Sequence, residues 1–511
     1  MRTELSWTEL HHGASDLRAL LAFRRSGLSQ RSTRALRIGG TVVGLLTLAA
    51  VVGPAYLGEP LQHRHAGDLV AVLPSMYLGF ALLAMLAAIS SGGGREVVPR
   101  EQAVAFPVST VTEHLGALLL APLNIAWLIQ AWTLLGATTY VLGPHNLPTV
   151  VLPMLVWIAV STAVGQLVGW TFEGIRRGPR GILVSRGLTL AAGSAVAVLV
   201  ATDRMTPLLD RSPTVRVYLA TAYGSGGAWG RWALSLLVLV VVLLAVVGLG
   251  LLAAGWALAR PLREELRLES GHRAPNPNPR SDLDALLRAD RASIWRAVPL
   301  RRGLLVLGLM PGAVALAGAL TWDLVTILPG LVASGGALLF GVNAWCLDGR
   351  GALWRDSLPV EPRLVFVAKV VVLFEVLLAA GALTIVLAGI RAGVPSPAEV
   401  ASVLMATLVV SAQVVATSLD WSVTSPYAVD LRSARATPAP PVVMAGYSAK
   451  LAARTTVVGL LFSGASFSAD WRVPVLLAVP LLCWSTYRLM RTATAWAEPE
   501  VRARVIAVVA S

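Results

Sequence analysis

The chain has 511 residues, of which 56% are hydrophobic and 14% charged, and its mean hydropathy is +0.69. A soluble domain carries about 25% charged residues, so this composition excludes an ordinary soluble enzyme. The net charge of +14 does not indicate nucleic acid as a partner, because the basic residues lie between apolar runs, where the positive-inside rule places them in membrane proteins.

Apolar runs long enough to cross a bilayer, which takes about 20 residues in a helix, recur along the whole chain. Lipid offers the backbone no hydrogen-bond partner, so such runs must be helical. We predict an all-α integral membrane protein with about twelve transmembrane helices, at residues 35–57, 68–90, 111–136, 147–170, 182–202, 231–259, 303–321, 324–346, 364–390, 397–420, 442–464 and 473–492.

The spans form two tandem six-helix halves joined by a Pro-rich segment at residues 272–280, where alternating prolines forbid a continuous helix. No cleavable signal peptide is expected, because the first 34 residues are polar and basic. We divide the chain into a cytoplasmic N-terminal amphipathic helix, a first six-span half, a cytoplasmic linker with a second amphipathic helix, a second six-span half and a cytoplasmic tail, at residues 1–34, 35–259, 260–302, 303–492 and 493–511.

The distribution of basic residues predicts the orientation. With both termini in the cytoplasm, 35 of the 42 Lys and Arg residues fall on the cytoplasmic side. The seven on the opposite side are Arg64, Arg204, Arg211, Arg216, Arg231, Arg391 and Arg472. This bias predicts a multi-pass protein of the plasma membrane with cytoplasmic termini.

Short sequence matches indicate an internal repeat. Residues 15–21 recur as residues 281–287, and residues 94–101 resemble residues 349–356, in the same order relative to the spans. The alternative is chance similarity in a chain rich in Leu, Ala and Arg.

The segments before spans 1 and 7 have helical periodicity, with Ser15 and Ser281 as N-caps. A basic amphipathic helix beside a span is typical of the membrane surface. Such a helix either anchors the chain or also contacts a cytoplasmic partner, and the two roles are compatible. The residues that define the two helices are Leu17, Leu20, Leu21, Arg24, Arg25, Leu283, Leu286, Leu287 and Arg291.

The loops at residues 95–110 and 348–363 occupy the same place in each half. Each carries a pair of opposite charges followed by a hydrophobic-Pro-Val turn, which suits a docking element; the alternative is an ordinary solvated loop. The candidate docking residues are Arg95, Arg100, Glu101, Arg350, Arg355 and Asp356.

With these helices and loops, the chain resembles the permease subunit of an ABC-2-type exporter. The resemblance implies that each six-span half begins with a cytoplasmic amphipathic helix and that the loop after its second span docks on an ATPase, often through an Arg-Glu pair. Asp356 departs from this pattern, since Glu is usual there. The external segment at residues 203–230 is also much longer than its counterpart at 465–472; in relatives this region can hold short re-entrant helices.

The chain lacks a phosphate-binding loop, which needs a lysine after its glycines, because its only lysines are Lys369 and Lys450 in apolar contexts. We therefore expect no enzymatic activity and no cofactor in this chain. ATP would be bound by a separate ABC ATPase subunit, in two copies. The expected substrate is hydrophobic or amphipathic (a drug, antibiotic, lipid or peptide). Besides the ATPase, the expected partner is the lipid bilayer, and we expect no binding of nucleic acid.

Polar residues inside the predicted spans are candidates for a translocation path, since ionisable groups in the bilayer are costly. The alternative is a hydrogen bond between helices. The candidates are Asn124, Gln130, Gln166, Glu375 and Gln413, with Glu375 near mid-bilayer. Cationic side chains near span ends, namely Lys369, Lys450 and Arg454, are expected to extend toward water.

Two other functions fit the sequence less well. A proton-coupled secondary transporter of six-plus-six topology would use Glu375, but residues 90–96 do not match the loop motif typical of major facilitators. A membrane-embedded enzyme needs a clustered catalytic set. The histidines cluster only at 11–12 and 63–65; His63 and His65 suit either a metal ion or plain solvation, and we predict no metal site.

Overall fold

The computed structural model describes residues 30–90, 109–121, 125–202, 211–260, 278–429 and 441–510, and the single residues 15, 16, 19, 204 and 208. Within these ranges the chain is all-α, with seventeen α-helices, one 3-10 helix and no strand. It divides into two compact units, Met1–Gly271 and His272–Ser511.

Unit 1 contains seven described helices. They are α1 (Gln30–Ser90), α2 (Thr110–Leu120), α3 (Ile125–Leu142), α4 (Leu147–Arg176), α5 (Gly181–Ala201), α6 (Thr214–Ser225) and α7 (Trp229–Leu258). Helix α4 is central: it packs along both α1 and α7, and α6 fits against the same three helices.

Unit 2 contains ten described α-helices and a 3-10 segment, Gly341–Leu347. The α-helices are α8 (Asp282–Arg296), α9 (Val298–Ala317), α10 (Trp322–Val325), α11 (Leu328–Leu339), α12 (Gly351–Asp356), α13 (Pro362–Gly389), α14 (Pro397–Thr424), α15 (Pro441–Ser466), α16 (Arg472–Ala497) and α17 (Pro499–Ala510). Helix α14 is central here, packed along α15 and α16.

Eight segments among the described residues are long and apolar enough to cross a membrane, which indicates a multi-pass membrane protein. They are Val70–Ile89, Leu147–Arg176, Trp229–Leu258, Leu300–Ala317, Trp322–Leu347, Pro362–Gly389, Pro397–Thr424 and Arg472–Ala497. A shorter apolar stretch, Val43–Leu57, lies in α1. Of the other predicted spans, the one in α15 carries Lys450 and Arg454 within its length.

Helix α1 corrects the prediction that spans 1 and 2 are separated by an external loop. The helix is continuous over 61 residues, so Arg64 and both neighbouring histidines lie inside it. Its length is about 90 Å at 1.5 Å per residue, far more than one bilayer crossing. The polar segment at 58–67 contains Gly58, Pro60 and Gly67, which usually interrupt helices, but it has no strong turn pair and the helix continues through it.

One predicted span, 324–346, is interrupted among the described residues. The predicted span 111–136 includes α2, which ends at Leu120, and α3, which begins at Ile125; residues 122–124 lie outside the described residues. The predicted span 324–346 breaks after α11, where Phe340 and Asn343 leave helical backbone angles and the chain continues as the 3-10 segment. The Ser422 hydroxyl on α14 accepts a hydrogen bond from the Ala344 amide and donates one to the Gly341 carbonyl, which satisfies backbone groups freed by the break.

Small residues allow close helix packing, as the sequence predicted for several glycines. A Cβ at Gly330 would lie 3.0 Å from the Thr455 carbonyl oxygen of α15, and one at Gly312 would lie 2.8 Å from the Thr384 carbonyl oxygen of α13. A Cβ at Gly336 would also overlap a neighbouring leucine. Gly318 differs, because it ends α9 instead of lying between helices.

A helix, α8, lies where the sequence predicted the amphipathic helix of the second half. The Ser281 side chain accepts a hydrogen bond from the Asp284 amide at 3.2 Å, which caps the helix N-terminus as expected. Leu286 and Leu287 pack against the core of unit 2, so the apolar side of α8 contacts protein. The defining residues of the first helix (Leu17, Leu20, Leu21, Arg24 and Arg25) lie outside the described residues.

Candidate functional site

A group of buried charges lies where α8, α13 and the loop after the 3-10 segment meet in unit 2. The Lys369 ammonium on α13 donates to Asp290 Oδ1 at 2.7 Å and to Asp348 Oδ1 at 2.8 Å. The exposed fractions of these side chains are 5%, 10% and 9%. Burying three charged groups is costly unless they compensate one another, so this contact fixes α8 and the loop to α13. We call Lys369, Asp290, Asp348 and Arg355 the ion-pair hub.

The Asp348 carboxylate joins the hub to helix α12. Its second oxygen accepts a hydrogen bond from Arg355 Nη1 at 2.8 Å. Burial alone would raise the pKa of Asp348, but Lys369 and Arg355 outweigh it and hold that pKa below its usual value. The hub therefore contains two cations and two anions and is electrically balanced.

Helix α12 is also held from its other end. Arg502 Nε on α17 donates to Asp356 Oδ1 at 2.8 Å. Ala352 of α12 is buried in the core that includes Val505 and Ile506 of α17. Gly349, with φ of +47°, makes the turn into α12 in a conformation that favours glycine. This short helix is thus fixed by ion pairs on two sides.

Large apolar side chains are exposed on α12 and just after it. Leu353 and Trp354 of the helix and Leu358, two residues beyond it, are 53%, 79% and 56% exposed, although they lie next to buried ion pairs. We call these three residues the apolar tip. Large exposed apolar groups on a rigid element are typical of a surface that contacts a partner or a membrane interface.

Stacked aromatic rings support the hub from the core. Trp345 of the 3-10 segment stacks on Trp496 of α16 with ring centroids 4.3 Å apart, and it also contacts Phe366 of α13. The Trp496 indole donates to the Pro362 carbonyl at 3.0 Å. The start of α13 is therefore tied to the end of α16.

Glu375 is paired with Arg291 of α8. The guanidinium donates from Nε to Oε2 at 2.9 Å and from Nη2 to Oε1 at 2.7 Å, a bidentate geometry. The side chains are 46% and 44% exposed. The carboxylate predicted to lie near mid-bilayer is thus neutralised by an arginine of α8.

The predicted docking residues divide into two groups. Arg95, Arg100 and Glu101 lie outside the described residues. In the second half, Arg350 is exposed at the start of α12, whereas Arg355 and Asp356 both form ion pairs within the chain. The apolar tip is therefore a large part of this loop's surface that is free of ion pairs.

The predicted translocation-path residues are not brought together as one set. Asn124 lies outside the described residues, and Gln130 is half-buried on α3. The Gln166 Oε1 atom on α4 is buried without a hydrogen-bond partner among the described residues. Gln413 is half-buried on α14, and no described hydrogen bond joins it to Glu375.

Unit 1 has its own charged contact between its central helix and α7. Arg177 donates to Glu173 Oε1 at 3.0 Å and to the Ala257 carbonyl at 3.0 Å. Arg260 donates to the Gly174 carbonyl at 2.6 Å and stacks on Trp256. These contacts tie the ends of α4 and α7 together.

Sequence reasoning missed most of the hub. The expectation that Lys369 extends toward water is wrong, because two carboxylates surround it in the core. Asp290 and Lys369 are 79 positions apart, and nothing local to either marks the other as its partner. The one usable signal was the charge of Lys369 several residues inside an apolar helix, which requires some compensating anion.

Potential metal ligands and cysteines are sparse in the part of the chain that the structure describes. It contains no group of three or more His, Cys, Asp or Glu residues placed to hold a metal ion. Cys346 is a buried free thiol and Cys483 an exposed one.

Comparisons of the chain with protein-family models, with curated proteins and with solved structures give no match.

Proposed function

We propose that the chain is the membrane-spanning permease of an ATP-driven exporter of the ABC-2 type and that helix α12 is one of its docking elements for a separate ATPase. The observation that carries the proposal is the combination of an exposed apolar tip with a buried ion-pair hub beneath it. Exposed apolar side chains on an element that ion pairs hold in place suit a contact with a partner protein.

The ion-pair hub connects the apolar tip mechanically to helix α13. Arg355 lies one residue after Trp354 on α12 and contacts Asp348, which contacts Lys369 on α13. Lys369 in turn contacts Asp290 on α8. A force applied to α12 would therefore move the start of α13 and the amphipathic helix as one body.

The internal packing of the two units supports a plan of two related halves. In unit 1 the central helix α4 packs along α1 and α7; in unit 2 the central helix α14 packs along α16, α15 and α11. In each unit one long apolar helix thus packs against helices that come before it and after it in the chain. A complete permease would then need one copy of this chain and two ATPase copies.

The pairing of Glu375 bears on the choice of energy source. A proton-coupling carboxylate must lose and regain its proton during the cycle. The bidentate contact with Arg291 favours the charged form of Glu375 and supports a positioning role for this residue in an ATP-driven cycle.

The experiment is to purify the tagged full-length chain from its native host in mild detergent and to identify the co-purifying proteins by mass spectrometry. We expect an ATPase with a phosphate-binding loop, at two copies per chain. The Trp354→Glu variant should lose it, because a carboxylate cannot be buried in an apolar contact without cost. The control is Trp471→Glu, which changes another exposed tryptophan, at the start of α16. Recovery of the chain alone, with no ATPase in the wild type, would contradict the proposal.

A further inference from the structure

A second charged site lies on the other side of unit 2, where α15 and α16 flank α14. Both outer helices pack along α14 but contact each other at few points, which leaves a groove floored by α14. Thr417, 1% exposed, lies on the floor of this groove. Asp420 follows almost one turn later on the same helix.

Two arginines converge on this floor from opposite sides. Arg454 Nη1 on α15 and Arg488 Nη1 on α16 each donate to Thr417 Oγ1 at 3.0 Å. A hydroxyl oxygen has two lone pairs, so two donors occupy both. Arg488 Nη2 also donates to Asp420 Oδ2 at 3.2 Å, whereas the one described hydrogen bond of Arg454 is that to Thr417.

The charges in the groove do not balance, in contrast to the ion-pair hub. Asp420 is paired with Arg488, and Arg454 has no carboxylate within ion-pair distance among the described residues. Lys450, one turn from Arg454 on α15, adds a further cation and lies 5.9 Å above the Trp421 ring. Two guanidiniums and an ammonium thus face one carboxylate, an excess that attracts an anion.

Apolar side chains near the groove are exposed. The arginines lie within helices that also carry the exposed side chains of Val457 and Leu461 on α15 and of Trp484 on α16. The guanidinium of Arg454 is on an exposed residue. A free anion from water would gain nothing from these apolar neighbours, whereas an acyl chain would bury them.

We propose that Arg454 and Arg488 form a binding site for the phosphate of an anionic membrane phospholipid. Forked guanidinium donors match phosphate oxygens in a bidentate geometry. Basic pockets between transmembrane helices near a membrane surface hold such headgroups. The acyl chains lie against the exposed apolar residues of α15 and α16, and the lipid neutralises the excess charge. This inference does not depend on the proposed exporter function.

The test uses the full-length protein in detergent. Its unfolding temperature is measured with added phosphatidylglycerol, phosphatidylcholine or inorganic phosphate, and native mass spectrometry counts retained lipid. We expect phosphatidylglycerol to stabilise the protein most and inorganic phosphate not to. Arg454→Gln should weaken the apparent affinity for phosphatidylglycerol about five-fold, as expected for the loss of one basic contact. Arg472→Gln, the same charge change on an exposed residue at the opposite end of α16, should leave it unchanged.

Two results would overturn the lipid site: equal stabilisation by both lipids, or equal losses in Arg454→Gln and Arg472→Gln. Stabilisation by inorganic phosphate as strong as that by phosphatidylglycerol would instead identify a site for free anions and overturn the lipid assignment. If Arg454→Gln cannot be purified in a folded form, Arg454→Lys is measured in its place. It keeps the charge but loses the forked donors, so its affinity should be weaker than that of the wild type, and unchanged affinity would contradict the proposal.

Discussion

Lys369 and Asp290 form a buried ion pair of 2.7 Å that joins the amphipathic helix α8 to the membrane-spanning helix α13. Asp348 shares the same ammonium, and Arg355 shares Asp348. This chain of contacts couples three elements that are separate in sequence.

Removal of the central cation should destabilise unit 2 strongly. In Lys369→Met, Asp290 is left buried without a cation, and the loss should be about 3–5 kcal/mol. Lys450→Met is the matched control, because it is the only other lysine and is exposed, and its cost should be within about 1 kcal/mol. Thermal or denaturant unfolding of the purified protein measures both. The double variant Lys369→Met/Asp290→Asn should recover part of the loss, and a double variant no better than the single would contradict the pairing.

The hub should make stability depend on acidic pH. The pKa of Asp348 is lower in the folded state than in an unfolded chain, so its contribution is fully present above the ordinary carboxyl pKa of about 3.9. It is lost as pH falls through the depressed folded-state pKa, because the unfolded chain then binds the additional proton. The stability gap between wild type and Asp348→Asn should therefore be constant from neutral pH to about pH 5 and shrink below about pH 4. A gap that widens on acidification would show that the pKa is raised instead.

The Arg291–Glu375 contact should be worth much less than the hub. Both side chains are nearly half exposed, and exposed ion pairs contribute about 0–1 kcal/mol. A double-mutant cycle with Arg291→Gln and Glu375→Gln should give a coupling energy in that range. The same cycle at Lys369 and Asp290 should give a clearly larger value. Equal coupling energies in the two cycles would mean that burial does not strengthen the Lys369–Asp290 pair, and would contradict the prediction.

Close packing of α4 on α1 should make Gly165 intolerant of a side chain. A Cβ there would lie 2.7 Å from the Ala84 carbonyl oxygen, so Gly165→Ala should cost about 1–3 kcal/mol from overpacking. A Cβ at Gly193 on α5 would instead enter open space, and Gly193→Ala should be neutral or stabilising by up to about 1 kcal/mol. Unfolding of the two variants gives the comparison, which fails if Gly165→Ala is as stable as the wild type.

Local signals predicted the helices and several of their ends. Ser281 capped α8 as expected, and the predicted starts of spans 4 and 10, at 147 and 397, coincide with those of α4 and α14. Each of these two helices begins with proline at its first or second position, where proline is well tolerated. In contrast, the continuity of α1 was missed because a polar segment between apolar runs need not turn.

Pairings between distant residues could not be predicted. The ion pairs of Lys369 with Asp290 and of Arg502 with Asp356 join positions 79 and 146 residues apart, and only the fold brings them together. The sequence identified Arg355 and Asp356 as charges of interest but not that they are paired within the chain. It also marked Glu375 as unusual, without indicating that Arg291 neutralises it.

The most direct test of the proposed function is site-specific photo-crosslinking in the native host, with a photoreactive amino acid in place of Trp354 in the full-length chain. The proposal predicts a crosslink to an ATPase that carries a phosphate-binding loop. The same substitution at Trp471, an exposed tryptophan at the start of α16, should give no such product. Crosslinking of position 354 only to lipid, or equal crosslinking of both positions to the ATPase, would contradict the assignment of α12 as its docking element.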